Sequence, residues 1–124
     1  MSILIDASAW IDFLREGAEK HPDVTRAFES GQAVLCPVTW AELWSGARGK
    51  REESVLSDIR DASGWLEIDA VVWDQATNLL RQAISHGLVC PLADVLMVAC
   101  AQRHGAELLH RDKHIKMLMA IIAG

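Results

Sequence analysis

Short apolar runs alternate with segments of helical period along the whole chain, and this alternation narrows the possible folds more than any other feature. Ile3, Leu4 and Ile5 read as a short buried strand. Ser8 is then placed as the cap of a helix carrying Trp10, Ile11, Phe13 and Leu14, which Gly17 ends. A short helix over 24–30 follows, and AVLCP, closing at Pro37, reads as a second strand. A helix from Thr39 carries Trp40, Leu43, Trp44 and Ala47, and a second one carries Val55, Leu56, Ile59 and Ala62. GWLEI is the third strand, and a long helix spans Ala70 to Ser85 with one apolar side. Pro91 opens a helix that is apolar almost all round, LADVLMVACAQRH, and Gly105 ends it. AELLH reads as a fourth strand, KHIKML as a final helical turn or two, and AIIAG as a possible fifth, edge strand. Strands alternating with helices imply an α/β fold with a mostly parallel sheet. At 124 residues the chain suits one domain, over 1–124, with one substantial core.

Sheets of this kind place ligands at the carboxyl ends of their strands. Asp6 stands at such an end, directly after Ile3–Ile5. Glu42 lies in the first turn of the helix after the second strand, Asp94 in the first turn after Pro91, and Asp112 follows AELLH with Arg111 between. Each has an ordinary structural explanation. Thr39 and Glu42 fit a capping box. Asp94 suits a helix dipole. Asp112 suits an N-cap, and Asp6 suits a turn. Together they ask for more. Asp94 is the only acid in CPLADVLMVACA, and no Lys or Arg accompanies it or Asp6. A buried carboxylate without compensation is costly. A divalent cation supplies that compensation to several acids at once, and oxygen ligands select Mg²⁺, with Mn²⁺ as its substitute.

The 17 acidic residues outnumber the 12 Lys and Arg, giving a formal net charge of −5. Alone, that balance argues against a nucleic-acid binder. It does not argue against an enzyme whose bound cation meets the phosphate. Cys36, Cys90 and Cys100 form no C-x-x-C pair and suit buried free thiols in a reducing cytoplasm. No apolar run reaches membrane-span length, and MSILIDASAW lacks the basic start of a secretory signal. The five Trp residues are read as core or interface anchors, because they alternate with Leu and Ala at helical spacing.

LIDASAWIDFL, PVTWAELWSGAR and PLADVLMVACAQRHGAELLHRDKHI resemble the successive motifs of PIN-domain proteins, specifically the VapC-type toxins of prokaryotic type II toxin–antitoxin systems. The resemblance covers nearly the whole chain. It implies a three-layer α/β/α sandwich with four or five strands and a metal-dependent endoribonuclease. It also implies an acidic quartet of Asp6, Glu42, Asp94 and Asp112 around Mg²⁺ or Mn²⁺. Ser8 would bond a ligand carboxylate or water. His114 falls where such toxins often carry a further Asp, and three roles stay open for it: weak ligation, contact with the scissile phosphate, or exposure to solvent. A pairing of His110 and His114 around zinc is a weaker reading. Arg48, Lys50, Arg51 and Arg111 are candidate RNA contacts. The implied partners are a VapB-type antitoxin, an RNA substrate and a second copy in a homodimer, with DNA reached only through the antitoxin. Two alternatives are a non-catalytic PIN-like binding module and a phospho-receiver. The receiver fits poorly, because Asp6 has no adjacent acid.

Overall fold

The computed structural model describes residues 1–124. Four strands, β1 (Ile3–Ile5), β2 (Ala33–Leu35), β3 (Gly64–Trp65) and β4 (Glu107–Leu109), form one sheet in the order β3-β2-β1-β4. All pairings are parallel; Ile3 faces Ala33 across one ladder, and Ile5 faces Leu109 across the other. Seven helices connect and flank them: α1 (Ala7–Glu16), α2 (Pro22–Glu29), α3 (Pro37–Ser45), α4 (Gly49–Ala62), α5 (Ala70–Ser85), α6 (Leu92–His104) and α7 (Lys113–Ala123).

The period-2 alternation of the strands sorts the helices into two layers. Leu4 and Val34 point to one face, where α5, α6 and α7 pack through Val72, Ala76, Val98, Ile115 and Leu118. Ile5, Ala33 and Leu35 point to the other, against Trp10, Val24, Leu43, Leu56 and Ile59 of α1 to α4. The central strands are therefore apolar on both sides, as a sheet covered on both faces requires. Helix α6 is buried from Val95 through Ala101, which explains its lack of a polar face. Its end is set by Gly105, which takes the left-handed conformation at φ 66° and ψ 28°.

Four local expectations change. The chain ends in helix: α7 runs eleven residues to Ala123, so AIIAG is no strand and the sheet has four strands. Ile115 and Leu118, one helical turn apart, are fully buried and carry the helix past any edge-strand pairing. Helix α3 begins at Pro37, two residues before Thr39, with Cys36 as its cap residue. The Thr39 hydroxyl is buried beside sulfur, 3.5 Å from Cys36 Sγ and 3.9 Å from Met97 Sδ, so no Thr39–Glu42 capping box forms. Ser8 lies inside α1, whose N-cap is Asp6. Of the three thiols, Cys36 and Cys100 are buried, but Cys90 is only half-buried.

Trp10 is fully buried and meets Phe13 and Phe28 edge-on at 5.9 and 5.7 Å. Trp65 is on a strand, with the Arg60 guanidinium 3.8 Å above its ring, and Trp73 is exposed on α5.

Candidate active site at the carboxyl edge of the sheet

Strand direction alone brings the four acids to one edge. Asp6 follows β1, and Asp112 lies three residues after β4, the neighbouring strand. The Asp6 N–H donates to Leu109 O at 3.0 Å, which ties the two strand exits together. Helix α6 leads back into the start of β4, so its N-terminal turn, with Asp94, sits at the opposite, carboxyl edge. Helix α3 leaves the carboxyl end of β2 and carries Glu42 in its second turn, because the helix starts earlier than Thr39.

The carboxylates are held in two different ways. Asp6 is buried, and its Oδ1 accepts the N-capping bond from Ala9 N–H at 2.8 Å. Ser8 Oγ donates to the same carboxylate, 2.9 Å from Oδ1 and 3.1 Å from Oδ2. Asp112 caps α7: its Oδ1 accepts from His114 N–H at 2.7 Å and Ile115 N–H at 3.3 Å. In both residues capping fastens Oδ1 to the backbone; Oδ2 of Asp112 has no such bond. The capping role expected of Asp112 and its place in the acidic cluster thus coincide. Asp94 and Glu42 differ. Neither side chain accepts a hydrogen bond, and neither has a cation within ion-pair distance.

Electrostatics records the crowding. Burial raises the Asp94 carboxyl above its ordinary 3.8, and the charges of Asp112 and Asp6 push the same way against a partial offset from His114. Glu42, an exposed residue, is raised above 4.5 by partial desolvation, then by Asp94, Asp6 and Asp112. Asp6, Asp94 and Asp112 each push up the carboxyl of at least one other member of the quartet. The tightest group is Asp94, Asp112 and His114, whose ligand atoms all lie within 4.8 Å of one another. Asp6 and Glu42 stand outside that group.

His110 is not in it either. Its Nδ1 faces the Asp112 N–H at 3.4 Å, and its position in the coil after β4 removes the helical spacing that a His110–His114 zinc pair needs. Cys90 is a neighbour the sequence reading missed. Burial raises its thiol, and the Asp94 and Asp112 charges raise it further. Its place immediately before Pro91 was the available signal. Of the basic candidates, Arg111 is already paired, with its guanidinium 3.0 Å from Asp23. Arg48, Lys50 and Arg51 gather at the start of α4, are all exposed, and have no ion-pair partner.

A parallel α/β/α domain with carboxylates gathered at the carboxyl edge of its sheet is the class this geometry defines. The family model of the PIN domain matches residues 3–118. Ribonuclease VapC11 of Mycobacterium tuberculosis is 31% identical, with 96% of this chain and 92% of that protein covered. Among solved structures, VapBC2 of Rickettsia felis, bound to a promoter DNA fragment, is similar with a TM-score of 0.81 at 15% identity. That match covers 94% of this chain and 92% of the other. VapC20 of Mycobacterium tuberculosis, described as a toxin cleaving the sarcin–ricin loop, has a TM-score of 0.68 at 18% identity, with 94% of each chain covered. The chain belongs to the PIN-domain family, and within it to the VapC ribonucleases.

Proposed function

We propose that this chain is the toxin of a type II toxin–antitoxin pair and a metal-dependent endoribonuclease that acts through Asp6, Glu42, Asp94 and Asp112. The observation that carries the reading is the pair of unpartnered carboxylates, Asp94 and Glu42, set among like charges with no Lys or Arg to neutralise them. Such a cluster is a poor structural element and a good cation site. The donor set fits Mg²⁺ or Mn²⁺, which take carboxylate oxygen and leave positions for phosphate.

Asp94 and Asp112 would hold the ion, with Asp6 completing the acidic wall. When bound, a divalent cation supplies charge neutralisation at the phosphate and acidifies coordinated water. The protein's own part is positional. Ser8 and the Ala9 N–H fix the Asp6 carboxylate in one orientation. The α7 N-terminus fixes Asp112 in the same manner. Glu42, with its elevated pKa, suits orienting water and accepting a proton at its carboxylate. Arg48, Lys50 and Arg51 offer unpaired positive charge to the RNA backbone. Arg111 must first leave Asp23 to do so.

The chain acts as one PIN domain over 1–124. No helix is long and apolar enough to cross a membrane, and cytoplasmic action suits an RNA substrate. A VapB-type antitoxin is the partner that would neutralise the site, and DNA is reached only through it. A homodimer is the expected assembly.

The test uses purified, antitoxin-free protein and total RNA. Cleavage is expected with Mn²⁺ or Mg²⁺, is expected to stop in EDTA, and is expected to be absent in Asp6→Asn and Asp94→Asn. Cleavage that persists in EDTA, or in folded Asp94→Asn, would overturn the reading. Sequencing the ends of the cut RNA identifies the target.

A further inference from the structure

We infer that His114 is a metal ligand, and that its imidazole turns an otherwise all-oxygen site into a mixed nitrogen–oxygen site preferring a transition ion such as Mn²⁺ over Mg²⁺. The inference rests on the proposed metal-dependent nuclease and says which ion that site selects.

Three observations carry it. First, the ring is in reach. Two ligand atoms each about 2.1 Å from one ion are at most about 4.2 Å apart. The ligand atoms of Asp94, Asp112 and His114 already lie within 4.8 Å of one another. Small side-chain rotations close the remaining difference. Second, the ring has a single, loose polar partner. It makes no hydrogen bond, and its one polar contact is from Nδ1 to Asp112 Oδ1 at 3.4 Å, an ion pair only when the imidazole is protonated and directed at an oxygen already held by two backbone N–H groups. A neutral imidazole there presents a nitrogen lone pair beside the acids. Third, the backbone locks the pair together. The N–H of His114 is itself a capping donor to Asp112, so the two ligands are fixed by one turn of chain.

Imidazole is a good ligand for Fe²⁺, Co²⁺ and Zn²⁺, a weaker one for Mn²⁺, and a poor one for Mg²⁺, which demands oxygen and releases its waters reluctantly. An Asp at position 114 would keep the site hard. His114 makes it borderline and removes one negative charge from a group that already repels itself.

The experiment reads the metal directly. Full-length, antitoxin-free protein is loaded with Mn²⁺ and measured by electron spin-echo envelope modulation, which detects nitrogen bonded to the ion. Calorimetric titrations with Mn²⁺ and with Mg²⁺ are run in parallel on the wild type, His114→Asp, His114→Ala and His110→Ala. Nitrogen modulation is expected in the wild type and in His110→Ala, and is expected to vanish in both His114 variants. The ratio of Mn²⁺ to Mg²⁺ affinity is expected to fall at least about tenfold in His114→Asp, since even loss of an outer partner of a metal ligand changes affinity by that much. A Mn²⁺-loaded wild type without nitrogen modulation overturns the inference and needs no variant to fold. Modulation that survives in His114→Ala but is lost in His110→Ala overturns it too. These results leave the nuclease reading standing. A wild type that binds neither ion removes both.

Discussion

Ser8 donates its hydroxyl to both oxygens of Asp6, at 2.9 Å to Oδ1 and 3.1 Å to Oδ2. Asp6 is simultaneously the N-cap of α1 through Ala9 N–H. The hydroxyl therefore orients a carboxylate that the helix already anchors. Ser8→Ala is expected to lower RNA cleavage by about ten- to a hundredfold, the usual effect of losing an outer partner of a metal-site carboxylate. The capping bond survives, so the melting temperature should move little. Single-turnover cleavage and a thermal melt on the same preparation check both halves.

Asp112 caps α7 through Oδ1 and lies beside Asp94 and His114, where the proposed metal site would use it. Substitution separates the two roles. Asp112→Ala is expected to lose both, with a stability cost of about 1 kcal/mol from the missing cap. Asp112→Ser keeps a capping oxygen, so it should retain most of that stability while metal binding and cleavage still fail. Urea unfolding beside a Mn²⁺ titration compares the two variants.

Asp94 works against folding when no ion is present. Its carboxyl is raised by burial and then by Asp112 and Asp6. Asp94→Asn removes one repelling charge, so the variant should melt at a higher temperature than the wild type in EDTA. In saturating Mn²⁺ the order should reverse, because only the wild type gains from binding the ion. Two melts per protein are sufficient.

The pH dependence follows in sign. Glu42 and Asp94 have folded values above their ordinary 4.5 and 3.8. Groups raised by folding favour the folded state fully below their unfolded values, and this contribution is lost as pH rises through the raised ones. Asp23 runs the other way. Burial raises it, but the hydrogen bond and charge of Arg111 and the Val24 N–H outweigh that and hold it below 3.8. Its contribution is present above that value and is lost only as pH falls through the lower one. The metal-free protein should therefore gain stability as pH falls through the raised Glu42 and Asp94 values toward their ordinary ones, and lose the Asp23 contribution below pH 3.8. Mn²⁺ should flatten the neutral side of that curve. Melting temperatures across the range, with and without the ion, show it.

Much of this was legible in the residues because strand direction places side chains. Asp6 after Ile3–Ile5 and Asp112 after β4 needed only parallel strands to meet, and the buried run in α6 made Asp94 conspicuous. What failed was local. Thr39 looked like a cap, yet Pro37 started α3 earlier, because proline at the first helical position suits a helix start and Thr39 was needed under the sheet beside Cys36 and Met97. Ser8 looked like a cap as well, but Asp6, two residues nearer the strand, took the bond from Ala9. The β-branched pair Ile121–Ile122 suggested a strand, whereas burial of Ile115 and Leu118 kept the segment helical to Ala123. The Arg111–Asp23 ion pair joins residues 88 apart and leaves no mark on the local sequence.

The most direct measurement is anomalous diffraction from a crystal of the antitoxin-free protein grown with Mn²⁺. A peak is expected against Asp94, Asp112 and His114, with the Asp6 carboxylate facing it and Glu42 turned toward the same space. No peak at saturating Mn²⁺, or Asp6 and Asp94 turned away from a common ion, would contradict the claim that these acids converge to hold a cation.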